Sequence, residues 1–169
     1  MPQYPSINTQ PVSPRAVAEA AVRAWCGWHV SPVIEETLTL DGNGTNRLAL
    51  PSNMVHAVNE LLVDGMPVEG FSFSRDGWIQ LPAGCITPRR PGCITAVITH
   101  GWESVPDIQK VIADFTARAA MGAPGSIASQ RAGTQYVSYA THNGEVTGGG
   151  LLSTEKALLE KYKIGRAHV

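Results

Sequence analysis

Apolar positions recur at helical spacing at the start of the chain, alternate with polar ones through its middle, and return to helical spacing near residue 106. Ser13 before Pro14 predicts a helix start, because the hydroxyl can cap free backbone N–H groups and proline at the first helical position loses no hydrogen bond. Val17, Ala21, Ala24, Trp25 and Trp28 then come at helical spacing, which puts both indoles on one apolar stripe and predicts a buried Trp pair at the helix base. Gly27 weakens the helix and Pro32 disfavours helical geometry at Ser31, so the helix is expected to stop at residues 27 to 30. Trp25, Trp28 and Pro32 thereby form a structural hinge between a helical core and a β-rich insertion.

After Pro32 the period is two. Thr37-Leu38-Thr39-Leu40 and Arg47-Leu48-Ala49-Leu50 alternate on either side of Asp41-Gly42-Asn43-Gly44, predicting a hairpin with a longer loop. His56 to Val63 is the next strand, and Phe71-Ser72-Phe73 and Trp78-Ile79-Gln80-Leu81 flank Arg75-Asp76-Gly77. Three Asp-Gly steps between alternating runs predict an antiparallel meander, since these residues tolerate the left-handed backbone of tight turns. Residues 82 to 92 are a loop, and the β-branched run from Ile94 to Thr99 closes the sheet.

A second helix is expected from Ser104-Val105-Pro106-Asp107, with Ile108, Val111, Ile112, Phe115 and Ala119 as its apolar stripe. From Gly122 to Gly150 the chain is rich in Gly, Ser and Thr, with one strand-like island at Thr134 to Tyr139; such a segment is extended and can reach a neighbour in an oligomer. Ser153 caps a last helix in which Ala157, Leu158 and Tyr162 face one way, while Lys156, Lys161, Lys163 and Arg166 give its end a positive bias that suits the helix dipole. The predicted class is α+β. A small helical core of N-terminal, central and C-terminal helices carries an antiparallel β-meander insertion at 34–104, an arm at 122–152 and a C-terminal helix and tail at 153–169, all within a single domain 1–169.

Composition narrows the function. The 169 residues suit one domain with a real core, 43% hydrophobic content argues for a folded protein, and 16% charged residues leave neutral surface compatible with oligomer contacts. A net charge of −1 carries no electrostatic footprint for nucleic acid or membrane, and Arg89-Arg90 between two prolines reads as a solvated loop tip. No segment approaches the ~20 apolar residues of a bilayer span, and residues 1 to 14 form a polar, proline-rich arm, so a soluble protein is expected.

Candidate chemistry finds no supporting constellation. Three cysteines, Cys26, Cys85 and Cys93, show no CxxC spacing, which predicts reduced thiols. Cys26 with His29 or His100 as base would need an orienting third group and an electropositive pocket, neither of which the spacing supplies, so a structural cysteine at a helix end is expected. The five histidines lack HxH or HExxH spacing, Gly148-Gly149-Gly150 lacks the features of a phosphate loop, and Asp41 to Gly44 lacks the distal glutamate of a calcium loop. No catalytic residue, metal or cofactor is expected. A reading of a different class, a small β-rich ligand- or carbohydrate-binding module, would use Trp78 and Trp102 as stacking platforms; three capped helices are more than it needs.

The ordered set of motifs resembles the head-to-tail adaptor, or connector, proteins of long-tailed phages, especially those infecting actinobacteria. It runs from Cys26-Gly27-Trp28-His29-Val30-Ser31-Pro32 through Asp41-Gly42-Asn43-Gly44, Leu48-Ala49-Leu50-Pro51-Ser52, Val63-Asp64-Gly65 and Asp76-Gly77-Trp78. His100-Gly101-Trp102, Pro106-Asp107-Ile108, Tyr136-Val137-Ser138-Tyr139 and Leu158-Leu159-Glu160-Lys161-Tyr162 complete it, covering nearly the whole chain from residue 13.

The resemblance implies a structural virion protein without an active site, assembled in the host cytoplasm. Twelve copies would form a ring below the portal protein that extends the DNA channel and docks a stopper or tail-terminator protein, with DNA passing through unbound. Such a ring needs a heterologous interface between two different patches of each copy. By the same resemblance the C-terminal helix faces or enters the portal, with Leu158, Tyr162 and Ile164 as apolar anchors and Lys161, Lys163 and Arg166 against an acidic portal surface. Near-neutral charge suits a channel, because each phosphate contact would hold the DNA back.

Overall fold

The computed structural model describes residues 12–120 and 150–164, together with the backbone of four short strands between them. The first helix, α1 (Pro14–Cys26), begins as its sequence dictates: Ser13 Oγ accepts from the Ala16 N–H at 3.2 Å, and Pro14 opens the helix. Gly27, at φ +82°, ends it with its N–H on the Arg23 carbonyl, a left-handed cap that suits glycine. Its buried face, however, is Ala18, Val22 and Cys26, while Val17 and Ala24 are exposed and Trp25 is half-buried beside a buried Trp28. Besides the charged Arg15, Glu19 and Arg23 the helix carries two adjacent apolar stripes that spacing alone admits, and packing against the second helix selects the one with Ala18, Val22 and Cys26.

Seven strands come next: β1 (Ile34–Leu40), β2 (Arg47–Ala49), β3 (Val55–Val63), β4 (Met66–Pro67), β5 (Ser72–Phe73), β6 (Trp78–Gln80) and β7 (Ile94–His100). They form two antiparallel sheets, ordered β1-β7-β3-β4 and β2-β6-β5, so the chain has an α+β fold. Asp64-Gly65 and Arg75-Asp76-Gly77 turn the hairpins β3–β4 and β5–β6 as expected, with Asp64, Gly65 and Gly77 all at positive φ. The hairpin expected around Asp41 to Gly44 does not form. Instead β1 pairs with β7 from Ile34↔His100 to Leu40↔Ile94, and β2 pairs with β6. β7 therefore lies inside its sheet and not at its edge, and its strict burial alternation comes from one face of that sheet packing Ile94, Ala96 and Ile98 into the core.

The glycines of that stretch answer to a different demand. A Cβ on Gly42 would lie 1.8 Å from the Pro88 carbonyl oxygen, and one on Gly44 would meet the Arg89 side chain at 2.4 Å. The motif that looks like a hairpin turn is a surface against which the 88–93 segment packs backbone to backbone.

The second helix, α2 (Pro106–Ala120), buries Ile108, Val111 and Phe115; Ile112 is half-buried and Ala119 is exposed. Beyond it β8 (Ser129–Ala132) pairs with β9 (Gln135–Ser138) and β10 (Thr141–His142) with β11 (Glu145–Val146); the strand-like island falls on β9, and the rest of the 122–149 arm lies outside the described residues. The last helix, α3 (Ser153–Leu159), continues as a 3-10 turn over Glu160–Tyr162. Its N-cap is Leu152 and not Ser153, with the Glu155 carboxylate accepting the Leu152 N–H at 2.9 Å. Two hydrophobic clusters result: one among the helices, centred on Val22, Trp28, Ile108, Leu159 and Tyr162, and one between the sheets, centred on Leu50, Leu61, Ile79, Ile94 and Ile98.

Candidate functional site

The segment from Leu152 to Ile164 is where the expected docking residues fall, and it is built into the helical cluster. Leu159 and Tyr162 are buried. The Trp28 indole N–H donates to the Tyr162 carbonyl at 2.7 Å, the Ile164 N–H donates to the Cys26 carbonyl at 3.0 Å, and the Tyr162 ring stands edge-on to Trp102 at 5.6 Å. Ion pairs clamp both ends to α2. Arg118 holds Glu155 with two bonds of 2.6 and 2.9 Å, and Lys161 Nζ meets the Asp107 carboxylate, which also receives the Tyr162 hydroxyl. Hydrogen bonding to Lys161 lowers the Asp107 pKa, and Asp107 in turn raises that of Lys161.

This geometry sorts the six expected contact residues. Leu158 is 47% exposed and leaves its side chain to solvent, whereas Tyr162 is spent inside the core and Ile164 is half-buried against it. Lys161 is paired with Asp107. Lys163 places its ammonium 4.3 Å from the centroid of the Trp25 ring and 3.9 Å from Glu160. Arg166 lies outside the described residues. Lys156, which the sequence shows only as part of the positive bias of this helix, stands with its ammonium 5.3 Å from the same Trp25 ring, and the Arg118–Glu155 clamp has no signal in the sequence. Trp25 is thus flanked by two cations at the seam of α1 and α3, an arrangement in which the ring quadrupole attracts charge.

Trp28 and Pro32, expected at a hinge, sit near the crossing from helices to sheet, which is closely stitched. Trp102 N–H donates to the Val30 carbonyl and Gly101 N–H to the Met54 carbonyl, and Gly101, at φ +117°, lets the Pro32 carbonyl oxygen approach to where a Cβ would be 2.4 Å away. The Ser31–Pro32 peptide is cis. His29 Nε2 donates to the Pro32 carbonyl at 2.7 Å and His56 Nε2 to the Gly101 carbonyl at 2.8 Å. His100, 1% exposed, reaches Glu36 through Nε2 at 3.1 Å, and its Nδ1 has no hydrogen-bond partner. Burial lowers the His100 pKa, only partly offset by Glu36.

None of this makes a nucleophile or a stacking platform. Burial pushes the Cys26 thiol up to about 11, opposite to what a reactive thiolate needs. Among the described residues no group of three His, Cys, Asp or Glu side chains is placed to hold a metal ion, and no helix is long and apolar enough to cross a membrane. The Arg47 guanidinium lies 4.2 Å from the centroid of the Trp78 ring, and Trp102 packs against Tyr162 with its N–H toward Asn53, so both indoles are engaged within the chain.

No protein-family model and no curated protein matches the sequence. Solved structures do match. A chain in the neck of a native gene transfer agent (GTA) particle, computed with C12 symmetry, superposes with a TM-score of 0.56 at 19% identity, covering 90% of this chain and 81% of that one. A chain in the neck of an empty GTA particle, computed with C6 symmetry, gives 0.53 at 21% identity, covering 90% and 77%. Over 90% of its length the protein therefore shares its fold with chains found in the necks of GTA particles.

Proposed function

We propose that this protein is a structural component of the head–tail neck of a phage-like particle, of the adaptor type carried by actinobacterial phages. The observation that carries the reading is the fold shared over 90% of the chain with neck chains of particles computed with twelve- and six-fold symmetry. Engaged tryptophans and a buried, high-pKa Cys26 support a non-enzymatic role.

On this reading the copies form a twelve-fold ring below the portal that extends the DNA channel and docks a stopper or tail-terminator protein, in a virion neck assembled in the host cytoplasm. The sheets at 34–104 are an insertion borne by the helical core, and the 122–152 arm lies along a neighbouring copy. The portal-facing element is α3 and the tail after it. Leu158 is its apolar anchor, Lys161, Lys163 and Arg166 meet acidic groups, and Tyr162 and Ile164 act from inside by holding α3 against α1 and α2. A net charge of −1 supports passage of DNA without retention. Imaging of particles formed by mixing the protein with its portal tests this: a ring seated on the portal is the expected result, and a portal that stays bare while the protein remains free rejects it. Leu158→Asp weakens co-assembly while leaving thermal stability unchanged, since the side chain is exposed.

A further inference from the structure

The two most exposed large apolar side chains among the described residues are Met66 and Ile86, each 68% exposed, and both stand at one end of the sheets. Met66 follows the Asp64-Gly65 turn. Ile86 belongs to the 82–92 loop, which runs past that turn: the Asp64 N–H donates to the Cys93 carbonyl at 2.8 Å and Arg90 pairs with Asp64. From this tip β7, seven residues rising ~3.3 Å each, carries the chain about 20 Å to His100, and α3 packs beyond that far end, where Trp102 meets Tyr162. The tip and α3 thus lie at opposite ends of β7.

A loop of this length without helix or strand needs another source of order. Thr87, 1% exposed, supplies it: its hydroxyl accepts from the Asn43 and Gly44 N–H groups at 3.2 and 3.1 Å, and its own N–H donates to the Thr45 carbonyl at 2.9 Å. The Gly42 N–H donates to the Arg90 carbonyl, and the Asp41 carboxylate accepts the Gly92 N–H at 2.8 Å. Polar contacts therefore fix the loop while Ile86 stays outside. An apolar side chain held in place by its neighbours and left in solvent is pre-organised for a partner, because little conformational entropy remains to be lost on binding.

We propose that this tip, with Ile86 and Met66 as apolar anchors and Arg89 beside them, docks the neck protein on the side away from the portal, in an apolar pocket that sets a carboxylate against Arg89. The inference rests on the neck reading above, in which α3 faces the portal and leaves the opposite end of the molecule for the next protein. Charge selects the kind of partner. Segments 41–46, 64–66 and 82–93 carry Arg89 and Arg90 against Asp41 and Asp64, a balance that gives nucleic acid no net attraction. Arg90 is taken by Asp64, whereas Arg89 lies against Gly44 and has no ion-pair partner among the described residues. One open guanidinium beside exposed isoleucine and methionine matches a protein pocket with an acidic group at its rim, where Arg binds carboxylate with two N–H groups.

Cys85, exposed next to Ile86 while Cys26 and Cys93 are buried, reports on the tip directly in the full-length chain. A thiol reagent labels Cys85 quickly in the free protein and in the protein seated on its portal. Adding the stopper or tail-terminator protein of the same particle slows the labelling several-fold. Ile86→Asp with Arg89→Glu removes that protection and leaves melting temperature and portal binding unchanged, since both side chains are exposed. Equal labelling with and without the tail-side protein overturns the proposal, and so does protection that survives the double variant. Protection on the portal alone overturns it too and turns the tip toward the portal, while protection in rings of the protein by itself assigns the tip to a neighbouring copy. A portal that stays bare while the tail-side protein still shields Cys85 upholds the docking tip and rejects only the ring on the portal.

Discussion

The two hydrophobic clusters are held together in different ways. The sheet cluster is drawn from one continuous stretch, Leu48 to Ile98, and its residues are fixed by ladder pairing and turn geometry. The helical cluster gathers Val22, Trp28, Met54, Ile108 and Tyr162, which are far apart in sequence, and its last part arrives only with the C-terminal segment. That segment is short. A seven-residue helix has little stability of its own, so side-chain clamps and tertiary burial must hold it. Polar contacts accordingly concentrate there: Trp28 on the Tyr162 carbonyl, Ile164 on Cys26, Arg118 on Glu155 and Lys161 on Asp107. The element proposed to meet another protein is thus also the keystone of its own core.

The sharpest way to separate the clusters is Tyr162→Ala. Removing this buried ring costs about 3–5 kcal/mol by the usual scale for aromatic truncation, and it also opens the site beneath Trp102. Hydrogen exchange should show α1, α2 and α3 losing protection while 94–100 keeps it. Uniform loss in both regions would instead make them one cooperative unit. Arg118→Ala comes next, because it takes the guanidinium away from the Glu155 carboxylate, which is only 7% exposed. A loss of about 2–3 kcal/mol in denaturant melts is expected, less than for a fully buried pair because Arg118 keeps some solvent. Arg118→Ala with Glu155→Leu should recover most of it.

On the sheet side, Gly42→Ala forces a methyl group onto the Pro88 carbonyl, which is backbone and cannot swing away. About 1–3 kcal/mol is lost, the ordinary range for overpacking. Its signature is local: Cys93 becomes accessible to a thiol reagent while the Cys26 of the helical cluster stays protected.

How far the fold is legible in the chain differs between the same two regions. The starts of α1 and α2, the Asp64-Gly65 and Asp76-Gly77 turns and the strands β3 and β7 come from local signals that the structure keeps. Pairing partners are not legible, because Asp41 to Gly44 carries the same residues whether it turns a hairpin or receives the Pro88 backbone, and only long-range contact decides. The buried face of α1 differs from the expected one for a related reason: besides Arg15, Glu19 and Arg23 it carries two apolar stripes side by side, and only the packing partner decides between them. At the candidate site, Leu158 and Tyr162 read alike as apolar residues of one short helix. Tyr162 shares its buried side with Glu155 and Leu159 at i, i+4, i+7, a stripe that spacing allows as readily as the one through Leu158, and only packing against α1 and α2 decides between them.

The mildest perturbation acts where the two clusters meet, at His100. In the folded protein burial holds its pKa below 6.5, whereas the unfolded chain takes up the proton near the ordinary value. The unfolded state therefore binds more protons as pH falls past about 6.5, so stability is full above that value and declines below it. Glu36 opposes the shift as the carboxylate on Nε2, and His29 and His56 face the same ring and disfavour its protonation. Asp107 behaves differently: its lowered pKa gives a stability that is retained through this range and lost only as pH drops below the ordinary carboxylate value. A melting-temperature profile from pH 8 to 5 should consequently fall on the acid side, and His100→Gln should flatten the decline that begins near 6.5 while leaving the more acidic limb in place. If the variant tracks the wild type over the whole range, the sheet and helical clusters do not communicate through this imidazole, and the acid sensitivity of the junction must be sought in the carboxylates of the α2–α3 clamp.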